Sequence, residues 1–197
     1  HPPMRVVNPA SGEVLREIVE ADGATIAEAC ARAQRAQPAW AATPLADRQA
    51  ALRRFRSLVV AQTEALARTL TLEVGKPITQ SRNELAGVLP RVDFFLAEVD
   101  AVLADRVVFE SPADRLEERI QHAPLGVVAN ISAWNYPWFV GCNVILPALL
   151  AGNAVLYKPS EYATLTGQEI ARLLHAAGVP REVMVCLVGA AEVGAAL

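Results

Sequence analysis

The sequence predicts an α/β protein whose C-terminal third is a doubly wound parallel sheet, half built within this chain. Three observations carry that reading. From Pro124 onward, short β-branched runs alternate with helical stretches, a pattern of parallel strands joined by right-handed crossovers. Before residue 105 the apolar residues recur mainly at helical spacing. The composition, 53 % apolar and 20 % charged over 197 residues, is that of a folded core rather than a disordered chain. A chain this long suits one or two domains and buries roughly 70 % of its unfolded surface.

Residues 6–18 read as a β-hairpin, with Asn8-Pro9-Ala10-Ser11-Gly12 as its turn. A helix is expected over 25–37, with Ile26, Ala29, Cys30, Ala33 and Ala36 on one face. Residues 44–74 read as a long amphipathic region with the stripe Leu45, Leu52, Phe55, Leu58 and Val59, stopped by Gly75 and Pro77. Another helix is expected over 78–103, kinked at Pro90. Residues 106–110 and 116–122 read as two strands across the turn Ser111-Pro112-Ala113-Asp114. Their alternating charges suit a protruding antiparallel pair whose open edges invite a second subunit. Strands are then expected at 127–131, 153–157 and 183–188, and helices at 138–150, 165–177 and from 192. The organisation is therefore an N-terminal hairpin with helices (1–105), a projecting hairpin (106–123) and a β-α-β-α-β unit (124–197).

The net charge of −3 gives no reason to expect nucleic acid or an acidic membrane as a partner. Cys30, Cys142 and Cys186 have neither metal-ligand nor redox spacing, so a reducing, cytoplasmic setting is expected. Each falls on an apolar face and reads as a small buried hydrophobe rather than a nucleophile. His1-Pro2-Pro3-Met4-Arg5 has no apolar leader core, and no stretch reaches the roughly 20 apolar residues of a membrane span. The first residue is not Met, which suggests a cut or processed end.

Two polar segments carry the chemistry. Parallel strands bring their carboxyl ends together, which is where open α/β sheets bind ligands. After the first strand comes Ile131-Ser132-Ala133-Trp134-Asn135, and after the second Lys158-Pro159-Ser160-Glu161. The Asn135 amide can donate to an oxyanion, or it can cap the loop before Pro137. Lys158 and Glu161 can hold ribose hydroxyls, or form a surface turn ahead of the next helix. Glu192 can face a cofactor or serve as a first-turn helix acid. No Gly-x-Gly-x-x-Gly follows any strand. Glu73-Val74-Gly75-Lys76-Pro77 is explained as a helix end.

These segments resemble the aldehyde dehydrogenase superfamily. Pro124-Leu125-Gly126-Val127-Val128 with Ile131-Ser132-Ala133-Trp134-Asn135-Tyr136-Pro137 is similar to its strand-and-loop motif, and 152–161 to its cofactor motif. Asn8 to Glu13, Ala39-Trp40 before Pro44 to Arg48, and Glu73 to Pro77 resemble its N-terminal segments. The resemblance implies a Rossmann-like cofactor domain and NAD, with NADP possible. It makes Asn135 the oxyanion-hole amide, and gives Lys158 and Glu161, beside Ser160, the adenosine ribose. Ile131, Ser132, Ala133 and Trp134 would line the cleft, and the projecting hairpin would join a homo-oligomer, a dimer or tetramer. The activity implied is oxidation of a small aldehyde to an acid through a thiohemiacetal. The nucleophilic cysteine and general-base glutamate lie downstream, so the catalytic domain is expected to be absent here and residues 1–197 inactive alone. The alternative is a non-catalytic cofactor-binding or oligomerisation fragment. Two departures stand out. Ala133 occupies a position that is Pro in many members, and Ala190-Ala191 falls where a glycine often lies against adenine.

Overall fold

The computed structural model describes residues 3–197; residues 1 and 2, where the reading of the N-terminus begins, lie outside the described residues. β1 (Met4–Val7) and β2 (Val14–Ile18) form the expected antiparallel hairpin. Its turn is closed by Asn8 N donating to Glu13 O and Gly12 N to Asn8 O, both at 2.8 Å.

α1 (Gly23–Ala42) begins where Asp22 accepts from Thr25 N at 2.7 Å, a side-chain cap for an otherwise unpaired donor. It runs through Pro38 instead of stopping before it. Distant contacts hold its last turn. Trp40 Nε1 donates to Leu149 O at 3.0 Å and Gln37 Nε2 to Gly152 O at 2.9 Å. The buried Arg48 completes the junction, donating to Leu150 O, Ala41 O and Thr43 O.

α2 (Leu45–Val74) and α3 (Ile78–Leu103) form a helical hairpin across Gly75-Lys76-Pro77, and α3 continues through Pro90. Gly75 caps α2 at φ 83°, a left-handed conformation that favours glycine. A Cβ there would also lie 2.6 Å from Pro9 Cγ, so the β1–β2 turn packs on this helix end. Phe55, Leu70, Leu85 and Val88 join Trp138 and Leu146 in one continuous core.

β3 (Arg106–Ser111) and β4 (Leu116–Ile120) are antiparallel, with an irregularity between Val107 and Phe109. The pair is exposed along almost its whole length.

The rest is a three-stranded parallel sheet in the order β5 (Val127–Ile131), β6 (Ala154–Lys158), β7 (Met184–Cys186). α4 (Pro137–Leu150) and α5 (Thr164–Ala176) are its crossovers, and α6 (Ala191–Ala196) follows. Right-handed crossovers place α4 and α5 on one face. α1 packs against all three strands and accounts for the burial of β6 at every residue. β7 is shorter than the expected 183–188. Leu187 N still reaches Tyr157 O, but Val188 O is taken by Ala21 N at 2.8 Å, which draws the chain off the ladder. Cys142 is buried as expected; Cys30 and Cys186 are only half-buried, which corrects the expectation for those two.

Candidate functional site

Ser132 N donates to Lys158 O at 3.0 Å, extending the β5–β6 ladder one residue past its last pair, Ile131 and Lys158. The two polar segments therefore leave the sheet side by side. Ser132 is buried, and its hydroxyl has no partner among the described residues. Ile131, Ala133, Trp134 and Asn135 are exposed.

Lys158 is a buried cation at the end of a buried strand. Its Nζ donates to Pro159 O at 2.9 Å and lies 3.9 Å from Glu161 Oε2. Burial pulls the ammonium below the usual lysine range, while the Glu161 and Glu20 carboxylates act the other way. Two of its three donors are uncommitted to any residue described here, and the Glu161 carboxylate is 36 % exposed. Ser160 accepts from Tyr162 N at 3.2 Å and caps the 3-10 turn that follows. A desolvated cation and an accessible carboxylate, one beside the other, suit a diol that accepts from the first and donates to the second. The adenosine ribose of a dinucleotide fits this pair. Trp134, Glu161 and Tyr162 line a cavity of about 580 Å³, walled on the other side by Val6, Val7 and Pro9 of the β1–β2 hairpin.

Glu192 lines a second cavity with Val19, Glu20 and Asp22, and its helix lies against Lys158: a Cβ at Gly194 would stand 3.5 Å from Lys158 Cδ and Cε.

The Asn135 side chain is fixed on one side only. Its Oδ1 accepts from Tyr136 N at 3.1 Å, and its Nδ2 has no partner among the described residues. The residue is exposed, so this donor is open to a ligand. Neither the loop-capping role nor the donor role excludes the other.

Three charges that sequence reasoning missed, two buried carboxylates and a half-buried lysine, support these segments. Glu73 accepts from Thr166 N at 2.8 Å, Thr166 Oγ1 at 2.9 Å and Leu165 N, holding the start of α5 beside the Lys158–Glu161 turn. Burial pushes its carboxyl up to about 7, against those three donors. Glu84 accepts from Trp138 N at 2.8 Å through Oε1, and from Lys76 Nζ at 2.6 Å through Oε2. Lys76 Nζ donates in turn to Asn135 O at 2.7 Å and lies 4.3 Å from the centre of the Tyr136 ring. Sequence held one signal for them. Glu73 and Glu84 lie on the apolar stripes of α2 and α3, and an acid on a buried stripe needs a partner.

A sequence model of the aldehyde dehydrogenase family matches residues 1–197. N-Succinylglutamate 5-semialdehyde dehydrogenase 1 of Caulobacter vibrioides is 36 % identical over 96 % of the chain and 40 % of its own length. PnpE in complex with nicotinamide adenine dinucleotide superposes with a TM-score of 0.92 at 31 % identity, over 99 % of the chain and 40 % of its own. Glyceraldehyde-3-phosphate dehydrogenase GapN of Methanocaldococcus jannaschii, complexed with NADP, superposes at 0.91 with 27 % identity, over 100 % and 43 %. The chain spans about 40 % of the length of the curated relatives it matches.

Proposed function

The chain belongs to the aldehyde dehydrogenase family, and from that membership we propose that it supplies the N-terminal, cofactor-binding part of an NAD(P)-dependent enzyme that oxidises an aldehyde to a carboxylic acid. The observation that carries the reading is the Ser132–Lys158 hydrogen bond, by which the segment leading to Asn135 leaves the sheet beside the segment that carries a buried cation and an accessible carboxylate. Lys158 and Glu161 hold the adenosine ribose, Ser160 shapes the turn between them, and Ile131, Ser132, Ala133 and Trp134 form the cleft wall. Glu161 favours NAD, because a carboxylate repels a 2′-phosphate. The cofactor supplies the hydride acceptor. Asn135 Nδ2 donates to the aldehyde oxygen as negative charge develops on it.

Two relatives with a bound cofactor, one with NAD and one with NADP, support this assignment. The name of the Caulobacter relative makes N-succinylglutamate 5-semialdehyde the first aldehyde to assay. The exposed Val107, Phe109, Leu116 and Ile120 of the β3–β4 hairpin support a homo-oligomeric contact there. No helix among the described residues is long and apolar enough to cross a membrane. The three unpaired cysteines suit a reducing, cytoplasmic setting.

The test is Asn135→Ala in the intact enzyme. Loss of one oxyanion donor lowers kcat about 10²–10³-fold, with the KM for NAD little changed. A kcat within a few-fold of wild type returns Asn135 to loop capping.

A further inference from the structure

We propose that Lys76 and Glu84 are positioning residues for the reaction, a buried ion pair that fixes where the Asn135 amide points. The inference rests on the reading of Asn135 as the oxyanion donor. Asn135 lies in an exposed segment between β5 and α4, and among the described residues its side chain makes no long-range hydrogen bond. Its direction is therefore set by the backbone on either side. Lys76 and Glu84 grip that backbone at successive points. Lys76 Nζ takes the carbonyl of Asn135 itself at 2.7 Å and sits over the ring of Tyr136 at 4.3 Å. Glu84 takes the N–H of Trp138 at 2.8 Å, in the first turn of α4, where the positive end of the helix dipole favours a carboxylate. The two are joined at 2.6 Å, with side chains 10 % and 0 % exposed.

This pairing comes from outside the sheet. Lys76 stands in the break between α2 and α3, and Glu84 two turns into α3. The helical hairpin thereby reaches across to the loop after β5. A carbonyl held by a cation also orients the following peptide N–H, which is the donor that Asn135 Oδ1 accepts from. The clamp and the side-chain rotation are linked through one peptide group. Displacing a reacting group by about 1 Å costs about 10²-fold in rate, so the clamp acts on turnover rather than on cofactor affinity.

The experiment is a double-mutant cycle in the intact enzyme with Lys76→Met, Asn135→Ala and both together, reading kcat, the KM for NAD and thermal midpoints. Lys76→Met is expected to lower kcat ten-fold or more, about 10²-fold at the full displacement, with the KM for NAD within a few-fold. The double variant is expected to be no slower than Asn135→Ala alone, because a misplaced amide and an absent one are equivalent. Lys76→Arg, which keeps the cation, is expected to recover part of the loss. Effects that multiply in the double variant overturn the proposal and leave Lys76 a general structural support. So does a normal kcat for Lys76→Met while Asn135→Ala is slow. If Asn135→Ala is itself as fast as wild type, the oxyanion reading falls and the positioning role falls with it. Should Lys76→Met fail to fold, Glu84→Gln, which keeps an acceptor for Trp138 N and removes the charge that holds Lys76, carries the same cycle.

Discussion

Ser132 N donates to Lys158 O at 3.0 Å, one hydrogen bond beyond the last paired residues of β5 and β6. That bond fixes how far apart the two functional loops can be. Trp134 and Glu161 consequently share the wall of a single cavity, although 27 positions separate them in the chain.

Glu161→Gln is expected to weaken NAD binding and narrow the preference for NAD over NADP. It removes charge-assisted bonds to ribose hydroxyls, worth about 1.5–3 kcal/mol, together with the repulsion against a 2′-phosphate. Fluorescence titration with both cofactors decides it. Unchanged affinity for both would show that Glu161 does not touch the ribose.

Gly167→Ala is expected to destabilise the protein although alanine is the better helix former. A Cβ at position 167 would run into the ring of Pro159, which has no flexible end to move aside. Overpacking of this kind costs about 1–3 kcal/mol, more than the roughly 1 kcal/mol gained in helix propensity. The strain falls on the turn that carries Lys158 and Glu161, so NAD affinity should fall too. Chemical denaturation and cofactor titration of the variant measure the two effects, and a more stable variant would contradict the packing.

Glu73 gives a pH dependence with a definite sign. Its carboxyl lies at about 7 in the folded chain against 4.5 for the free group, with burial as the cause. The folded state thus binds the proton more tightly. The contribution to stability is whole below about pH 4.5 and is lost as pH rises to about 7, a change of about 3 kcal/mol by linkage. Arg5 and Glu161, which line the same cavity, are the nearby charges. Urea midpoints of wild type and Glu73→Gln across pH 5 to 8 test this. The wild-type curve should fall more steeply, and parallel curves would refute the assignment. Glu73→Ala is expected to lose about 2 kcal/mol or more at any pH, since Leu165 N, Thr166 N and Thr166 Oγ1 lose their acceptor.

What sequence revealed and what it hid follow from the range of the interactions. β5 ends at Ile131 as expected because a continuous β-branched run is a local signal. Topology placed the polar residues after β5 and β6 side by side, and the family resemblance chose between their binding and capping readings. α1 was misjudged by five residues at its end because Trp40 and Gln37 bond to the far end of α4, more than a hundred positions away. Lys76 passed for a helix terminator because Gly75 and Pro77 do terminate α2, and nothing local reveals that the lysine between them reaches Asn135, 59 positions on. The place of Glu192 depends on how α6 packs on α1, a contact that no motif encodes.

Residues 1–197 expressed alone are expected to show no aldehyde dehydrogenase activity. A thiolate nucleophile needs an accessible, activated cysteine, and none of the three qualifies. Cys142 is buried inside α4, and burial together with the Glu84 charge drives its thiol far above the usual range. Cys186 is pushed up to about 12 by burial, with Lys158 acting weakly against it. Cys30 lies half-buried on α1, packed against the core. Among the described residues β7 pairs with β6 alone, so its other edge carries unpaired backbone groups. Such an edge favours association, as does the exposed apolar row of β3 and β4. An assay with NAD and several aldehydes, run beside size-exclusion chromatography, examines both points. NADH production by a homogeneous 197-residue chain would require one of these thiols to become accessible and ionise. A monodisperse monomer would show that the β7 edge and the projecting hairpin need no partner.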